Sequence, residues 1–393
     1  MVCRVLAGLA LASLPIAAAA EAPPAPRDVA LTAPDGVTLK ATYYAAAQPG
    51  PGVLLLHMCN TDRGSWAPLG PRLAAAGLHA LALDYRGYGQ SGGERFEDDP
   101  QKQQRLVAEK WPGDVDAALA WLVAQPGVDG VRLGFAGGSC GVHQAIQVAS
   151  RHPEEARALV LLAGGTNRDG VEFLAANPWL PVFAAAAADD QYDADAPRTM
   201  KWFTELTGNR RNRFSGFADG RHGTEIFGPH PELVGQIVDF CDDTLVKSPA
   251  DPKAAATGPK SPAAEFWTAL GAPGGAARAA EIYGAARERD AGVFLFPEAL
   301  LNQAVYERLQ AGAAKDAIAL ARLNTEAFPS SANTWDTLAD AYVADGQNEA
   351  AMQAAHVAIE KLPGDKAGED FKARVRRSAE QKLKLPTEPR KNP

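Results

Sequence analysis

Unbroken apolar runs alternate with stretches of helical period through the first two thirds of the chain. The runs at 51–57, 78–84, 131–135, 158–163 and 181–188 show no polar face, as strands buried on both sides do. Segments 69–76, 115–124, 142–149, 200–207 and 232–245 carry apolar residues every three or four positions and read as helices. Residues 28–31 and 37–44 form two more expected strands, joined by the hairpin turn Pro34-Asp35-Gly36. A short strand is expected at 212–217. Asp114 is the expected cap of helix 115–124, and the charged stretch 93–113 an expected surface insertion. The run at 181–188 contains five alanines, which are poor strand formers, but Pro181 opens it and Asp189-Asp190 stops it. This alternation predicts an α/β fold, a mostly parallel sheet with helices on both faces.

After Val246 the pattern changes. Residues 247–262 are dense in Pro, Ala, Lys and Ser and read as a linker. Residues 263–385 read as all-α, with an internal repeat: Pro329 and Pro363, Gly312 and Gly346, and Ala317 and Ala351 are each 34 residues apart. That is the tetratricopeptide period. Trp335, Leu338, Ala339, Tyr342, Ala351 and Ala358 fit the pattern in the last unit. The unit before it keeps Leu301, Ala317 and Pro329 but has Arg308 where an aromatic is usual. Residues 265–289 are expected to add one irregular helical pair. The linker predicts two separate cores.

Composition narrows the function. The chain has 393 residues, 46% of them hydrophobic, and a net charge of −8 with no basic tract, which argues against nucleic acid as a partner. Arg4, the apolar run 5–16 and Ala18-Ala19-Ala20 read as a signal peptide over residues 1–20. The mature chain is expected from near Glu21, periplasmic or secreted, with no later stretch apolar enough to span a membrane. Loss of Cys3 leaves Cys59, Cys140 and Cys241, enough for one disulfide and one thiol. The first domain is expected over 21–246.

The chemistry gathers around Gly137-Gly138-Ser139-Cys140-Gly141, a G-x-S-x-G pattern between an apolar strand and a helix. This is the context of a nucleophile elbow, where glycines on both sides relieve a tight turn. A serine needs a base, and the base an orienting acid. Searching after Ser139, the acid falls on Asp190, with Asp189 as runner-up. The base falls on His222, in the polar loop between the last strand and the last helix. His143, His152 and His230 sit on or beside helices. His57 precedes the serine and reads as structural. The oxyanion donors are expected to be the backbone N–H groups of Cys140 and Cys59. Their convergence on one oxygen brings the two cysteines within disulfide range, so they are either crosslinked or two separate thiols. No metal or other cofactor is implied.

His57-Met58-Cys59-Asn60, residues 84–91 (Asp84 to Ser91), the Ser139 elbow, the Asp190 loop and Arg221-His222-Gly223 together resemble the α/β-hydrolases. The short interval from Ser139 to Asp190 resembles the dienelactone hydrolase-like branch, which lacks a large cap. The likeness covers residues 28–246. It implies an exported serine hydrolase acting on a small-molecule ester through a Ser139–His222–Asp190 triad. Two departures stand out: Met58 replaces the usual glycine after His57, and the nucleophile position is serine where dienelactone hydrolases use cysteine. The alternatives are a serine peptidase of the prolyl-peptidase type, or a vestigial hydrolase serving as a scaffold. The helical repeats offer a surface for a protein partner.

Overall fold

The computed structural model describes residues 22–95, 99, 102, 105–247 and 260–386. The expected signal peptide and most of the expected linker lie outside the described residues. Eight strands form one sheet: β1 Arg27–Thr32, β2 Thr38–Tyr44, β3 Gly50–Leu56, β4 His79–Asp84, β5 Val128–Gly138, β6 Ala156–Leu162, β7 Val182–Ala187 and β8 Arg213–Phe217. Their order is β1-β2-β4-β3-β5-β6-β7-β8. The pairs β1–β2 and β2–β4 are antiparallel, and the other five are parallel. This is the α/β-hydrolase arrangement.

Alternation along the strands divides the apolar residues between two cores. Leu54 and Leu56 of β3, Leu159 and Leu161 of β6, and Ala184 and Ala186 of β7 face one cluster. Val53 and Leu55, Val160 and Leu162, and Ala185 and Ala187 face the other. Period two thus overrides the weak strand propensity of alanine in β7, where every residue is buried. Helices α1 (Gly70–Ala75), α2 (Trp111–Val123), α3 (Cys140–Arg151), α4 (Arg168–Ala176), α5 (Ala196–Thr207) and α6 (Glu232–Cys241) complete the layers.

Three expectations need correction. Helix α4 was not anticipated; its start is capped by the Asn167 side chain, which accepts the Gly170 N–H at 3.1 Å. The last helix of this region ends at Cys241 and continues to Val246 as a wide π-type turn. Helix α2 begins at Trp111, where Pro112 suits a first turn and the Trp111 ring stacks on Tyr85 at 4.1 Å. Asp114 therefore lies inside the helix and is not its cap. Its carboxylate is fully buried and grips Arg86 through Nε at 2.7 Å and Nη2 at 2.5 Å, while Arg86 also reaches Asp35 in the β1–β2 turn at 2.8 Å.

The C-terminal region is all-helical: α7 Pro262–Gly271, α8 Gly275–Arg289, α9 Glu298–Gln310, α10 Ala314–Ala327, α11 Ala332–Ala344, α12 Asn348–Lys361 and α13 Glu369–Lys382. Helices α9 and α10 recur as α11 and α12 with their starts 34 residues later in each case (298 to 332, 314 to 348). Gly312 and Gly346 end the first helix of each pair with φ of 72° and 74°, a conformation that favours glycine. Lys382, buried on α13, donates to Asp336 and Asp340 of α11 at 2.8 Å each and ties the last helix down.

Where two separate cores are expected from the linker, one apolar cluster extends to both sides of it. A continuous apolar cluster runs from the α4 and α5 face of the sheet into α7, α8 and beyond. At the junction Trp202 of α5 and Trp267 of α7 are fully buried. Both indole N–H groups donate to the Leu295 carbonyl, each at 3.0 Å. Arg168 of α4 pairs with Glu307 of α9 across the same junction.

Candidate active site

Strand β5 ends at Gly138, and α3 starts at Cys140. Ser139 alone makes the turn, with φ 53° and ψ −121°. A side chain with a Cβ pays a steric cost at such angles, and the surrounding packing must hold it there. The neighbouring glycines are needed for clearance. A Cβ on Gly137 would overlap the Gly141 carbonyl, and one on Gly141 the Leu56 carbonyl of β3. The Ser139 N–H is held by the Leu162 and Ala163 carbonyls at the end of β6, at 3.0 Å each. Cys140, the first residue of α3, has one of the N–H groups that a helix leaves without an internal partner.

The loop after β3 meets this elbow. Cys59 and Cys140 are joined in a disulfide with Cα atoms 5.8 Å apart. Met58 is buried between two glycines beside candidate catalytic residues. Its side chain packs against Gly138, next to Ser139, and against Gly223, next to His222, where a Cβ would strike the thioether sulfur. His57 is fully buried. Its Nε2 accepts the Tyr85 N–H at 3.2 Å, so Nδ1 carries the proton and donates to the Met58 carbonyl at 2.6 Å. Burial pushes its pKa down, in agreement with a neutral ring. Farther along the loop, the Arg63 N–H donates to the buried Asp84 at 2.7 Å, and the Arg63 guanidinium pairs with the same carboxylate. Asp84 also accepts the Gln90 N–H at 2.9 Å, so one carboxylate anchors the loops after β3 and β4.

Asp190 lies just beyond β7 and His222 in the loop after β8, and both are buried. His222 Nδ1 is 2.6 Å from Asp190 Oδ2. The other oxygen, Oδ1, accepts the N–H groups of Tyr192 at 2.9 Å and Asp193 at 3.0 Å, which fixes the carboxylate plane. Asp189 faces elsewhere and accepts the Arg221 N–H at 2.8 Å. Arg221 has φ of 61°, so Asp189 braces a strained residue directly before His222. The other histidines are engaged away from this pair: His143 with Thr166 at 3.1 Å, His152 with Asp116 at 3.5 Å, and His230 with Asp219 and Glu232. The third cysteine, Cys241, is buried in α6, and burial pushes its thiol up to about 12. Among the described residues, no group of three or more His, Cys, Asp or Glu side chains is placed to hold a metal ion. Nor is any described helix long and apolar enough to cross a membrane.

Sequence reasoning missed three participants. Tyr192 sets its ring edge against His222, centroids 4.9 Å apart, and its hydroxyl accepts from Asn60 Nδ2 at 3.4 Å. That contact links the loops after β3 and β7. Glu225 accepts the His222 N–H at 3.4 Å and the Gln191 side chain at 3.0 Å. Met58 was noticed as a departure, but its wedge between Gly138 and Gly223 was not. The only sequence signal for Tyr192 was its place two residues after an acidic turn.

Residues 47–205 match a family model described as Serine aminopeptidase, S33. Two uncharacterized proteins of Mycobacterium tuberculosis, from strains CDC 1551 / Oshkosh and ATCC 25618 / H37Rv, are 35% identical over 170 residues. The match covers 43% of this chain and spans 56% of each relative's length. Among solved structures, the Pyrococcus furiosus esterase Pf2001 is similar with TM-score 0.45 and 20% identity, over 56% of this chain and 91% of that one. A dienelactone hydrolase from Anabaena variabilis is similar with TM-score 0.43 and 18% identity, over 57% of this chain and all of that one.

Proposed function

We propose that this chain is an exported serine hydrolase that cleaves carboxylic esters. The observation that carries the reading is the buried His222–Asp190 pair in the loop whose Gly223 shares Met58 with the glycine before Ser139. With the Nδ1 proton committed to Asp190, the His222 Nε2 is left as the basic nitrogen. Ser139 Oγ attacks the ester carbonyl carbon while His222 Nε2 takes its proton, and Asp190 steadies the imidazolium. The negative oxygen is met by the N–H groups of Cys59 and Cys140. His222 then protonates the departing alkoxide, and water repeats the sequence on the acyl-enzyme. Export is supported by the signal-like residues 1–20 and by the disulfide, which suits an oxidising compartment.

A fluorophosphonate probe tests the reading. Wild-type protein is expected to be labelled on Ser139, and Ser139→Ala to be inert. Labelling that survives Ser139→Ala overturns it. The match to a serine aminopeptidase model motivates a parallel assay on aminoacyl anilides. Turnover of those but not of p-nitrophenyl esters would move the activity to amide bonds.

A further inference from the structure

We infer that the Cys59–Cys140 disulfide is a positioning device for the oxyanion hole, so that the enzyme is fully active only when oxidised. The inference rests on the ester-hydrolase reading above. The two residues whose backbone N–H groups are assigned to the oxyanion are the same two whose side chains are bonded, with Cα atoms 5.8 Å apart. One stands on the loop after the central strand β3, the other on the first residue of α3. The β3–β5 pairing of Leu56 with Gly137 sets the approach of the two segments, and the disulfide joins the two residues that carry the peptide groups. The Asp84–Arg63 anchor acts four residues farther along the loop. The Asn60–Tyr192 contact is long, at 3.4 Å, and leads to an exposed side chain. Where a glycine would let the loop's backbone close against the elbow, this chain has Met58, whose bulk is already wedged between Gly138 and Gly223. The covalent link adds a fixed separation of the two Cα atoms to that packing.

The chemistry of release is ordinary exchange. A thiolate of a dithiol reductant attacks one sulfur, expelling the other cysteine as thiolate. The reductant's second thiolate then closes a cyclic disulfide and expels the first cysteine. Two electrons pass from the dithiol to the protein, and the two protons end on Cys59 and Cys140. Both cysteines are partly exposed, so a small dithiol can reach them. The N–H groups survive reduction, so what is lost is their alignment. Deleting one such donor lowers kcat by about 100–1,000-fold; misaligning two is expected to cost about 10–100-fold.

The experiment uses the full chain carrying Cys3→Ala and Cys241→Ala, so that every thiol that appears comes from the disulfide. Thiol titration, kcat and KM on p-nitrophenyl acetate and far-ultraviolet circular dichroism are followed together during reduction by dithiothreitol. Expected are two thiols per chain, kcat reduced about 10–100-fold, KM within about threefold, an unchanged pH profile and full recovery on reoxidation. The affinity of a boronic acid, which mimics the tetrahedral state, should fall in proportion to kcat/KM. Cys59→Ala/Cys140→Ala should behave as the reduced protein does and be indifferent to dithiol. Two free thiols with undiminished kcat overturn the inference. So does a loss of rate that only tracks loss of helical signal in both the reduced protein and the double variant, since the link would then be a general staple. If the oxidised wild type takes no fluorophosphonate, the Ser139 reading itself fails, whatever the cysteines do.

Discussion

At the scale of single residues, two adjacent carboxylates have opposite assignments. Asp190 faces His222, while Asp189 holds the Arg221 N–H. Asp190→Asn is expected to lower kcat by about 10⁴-fold by misplacing the histidine proton. Asp189→Asn should cost less than about tenfold, acting only through the loop. A silent Asp190→Asn would exchange the roles. Chain order and strand ends pointed to Ser139, Asp190 and His222, and the structure brings Asp190 and His222 into contact. The separation of Asp189 from Asp190 was less legible, because it depends on which way two neighbouring side chains turn. His57 carries a prediction about pH. Burial lowers the pKa of His57, and of His79 as well, from the ordinary 6.5. In the unfolded chain they take up protons below about 6.5, whereas the folded protein resists. Their contribution to stability is therefore complete above that pH and lost as pH falls through it toward the depressed folded values. Unfolding free energies from urea titrations should therefore fall between pH 7.5 and 5.5. A flat profile would mean that both rings accept protons in place.

At the scale of elements, period and punctuation found all eight strands and most of the helices, because burial on both faces leaves unbroken apolar runs. Helix α4 was missed because Asn167, which caps it, follows a glycine-rich turn with no apolar period of its own. Helix α2 was started too late because Asp114 looks like a cap when its partner cannot be seen. That partner, Arg86, stands 28 residues away in sequence, and the ion pair is buried. Breaking such a pair leaves a charge without compensation, so Asp114→Ala should cost about 3–5 kcal/mol. Asp35→Ala, at the solvent-exposed end of the same arginine, should cost far less, because water screens that contact. Equal losses in a urea titration would show that the arginine draws on both partners alike.

At the scale of the whole molecule, the composition of the linker suggested independence, and the side chains on either side of it argue otherwise. A stretch rich in Pro, Ala and Lys reveals where the chain is unpatterned, but not whether the bodies it joins share a surface. Here Trp202, Phe203 and Met200 of α5 belong to the same apolar cluster as Phe266 and Trp267 of α7. Each large side chain left uncovered forfeits about 1.5–3 kcal/mol. A protein ending at Lys247 is therefore expected to be poorly soluble, to bind the dye ANS and to melt well below the full chain. A soluble, fully active fragment with an unchanged melting temperature would show that the junction contributes little.

That junction also has optical properties. Trp202 and Trp267 stand edge to face, with ring centroids 6.3 Å apart, and their indole N–H groups converge on one carbonyl. One indole comes from the sheet-containing part of the chain and the other from the helical part, while the carbonyl belongs to Leu295. Separation of the parts would replace protein with water at both rings together. The emission maximum of the pair should then move to longer wavelength, and the close coupling between the rings should vanish from the near-ultraviolet dichroism. The molecule thus carries its own chromophore for docking, readable without any attached label.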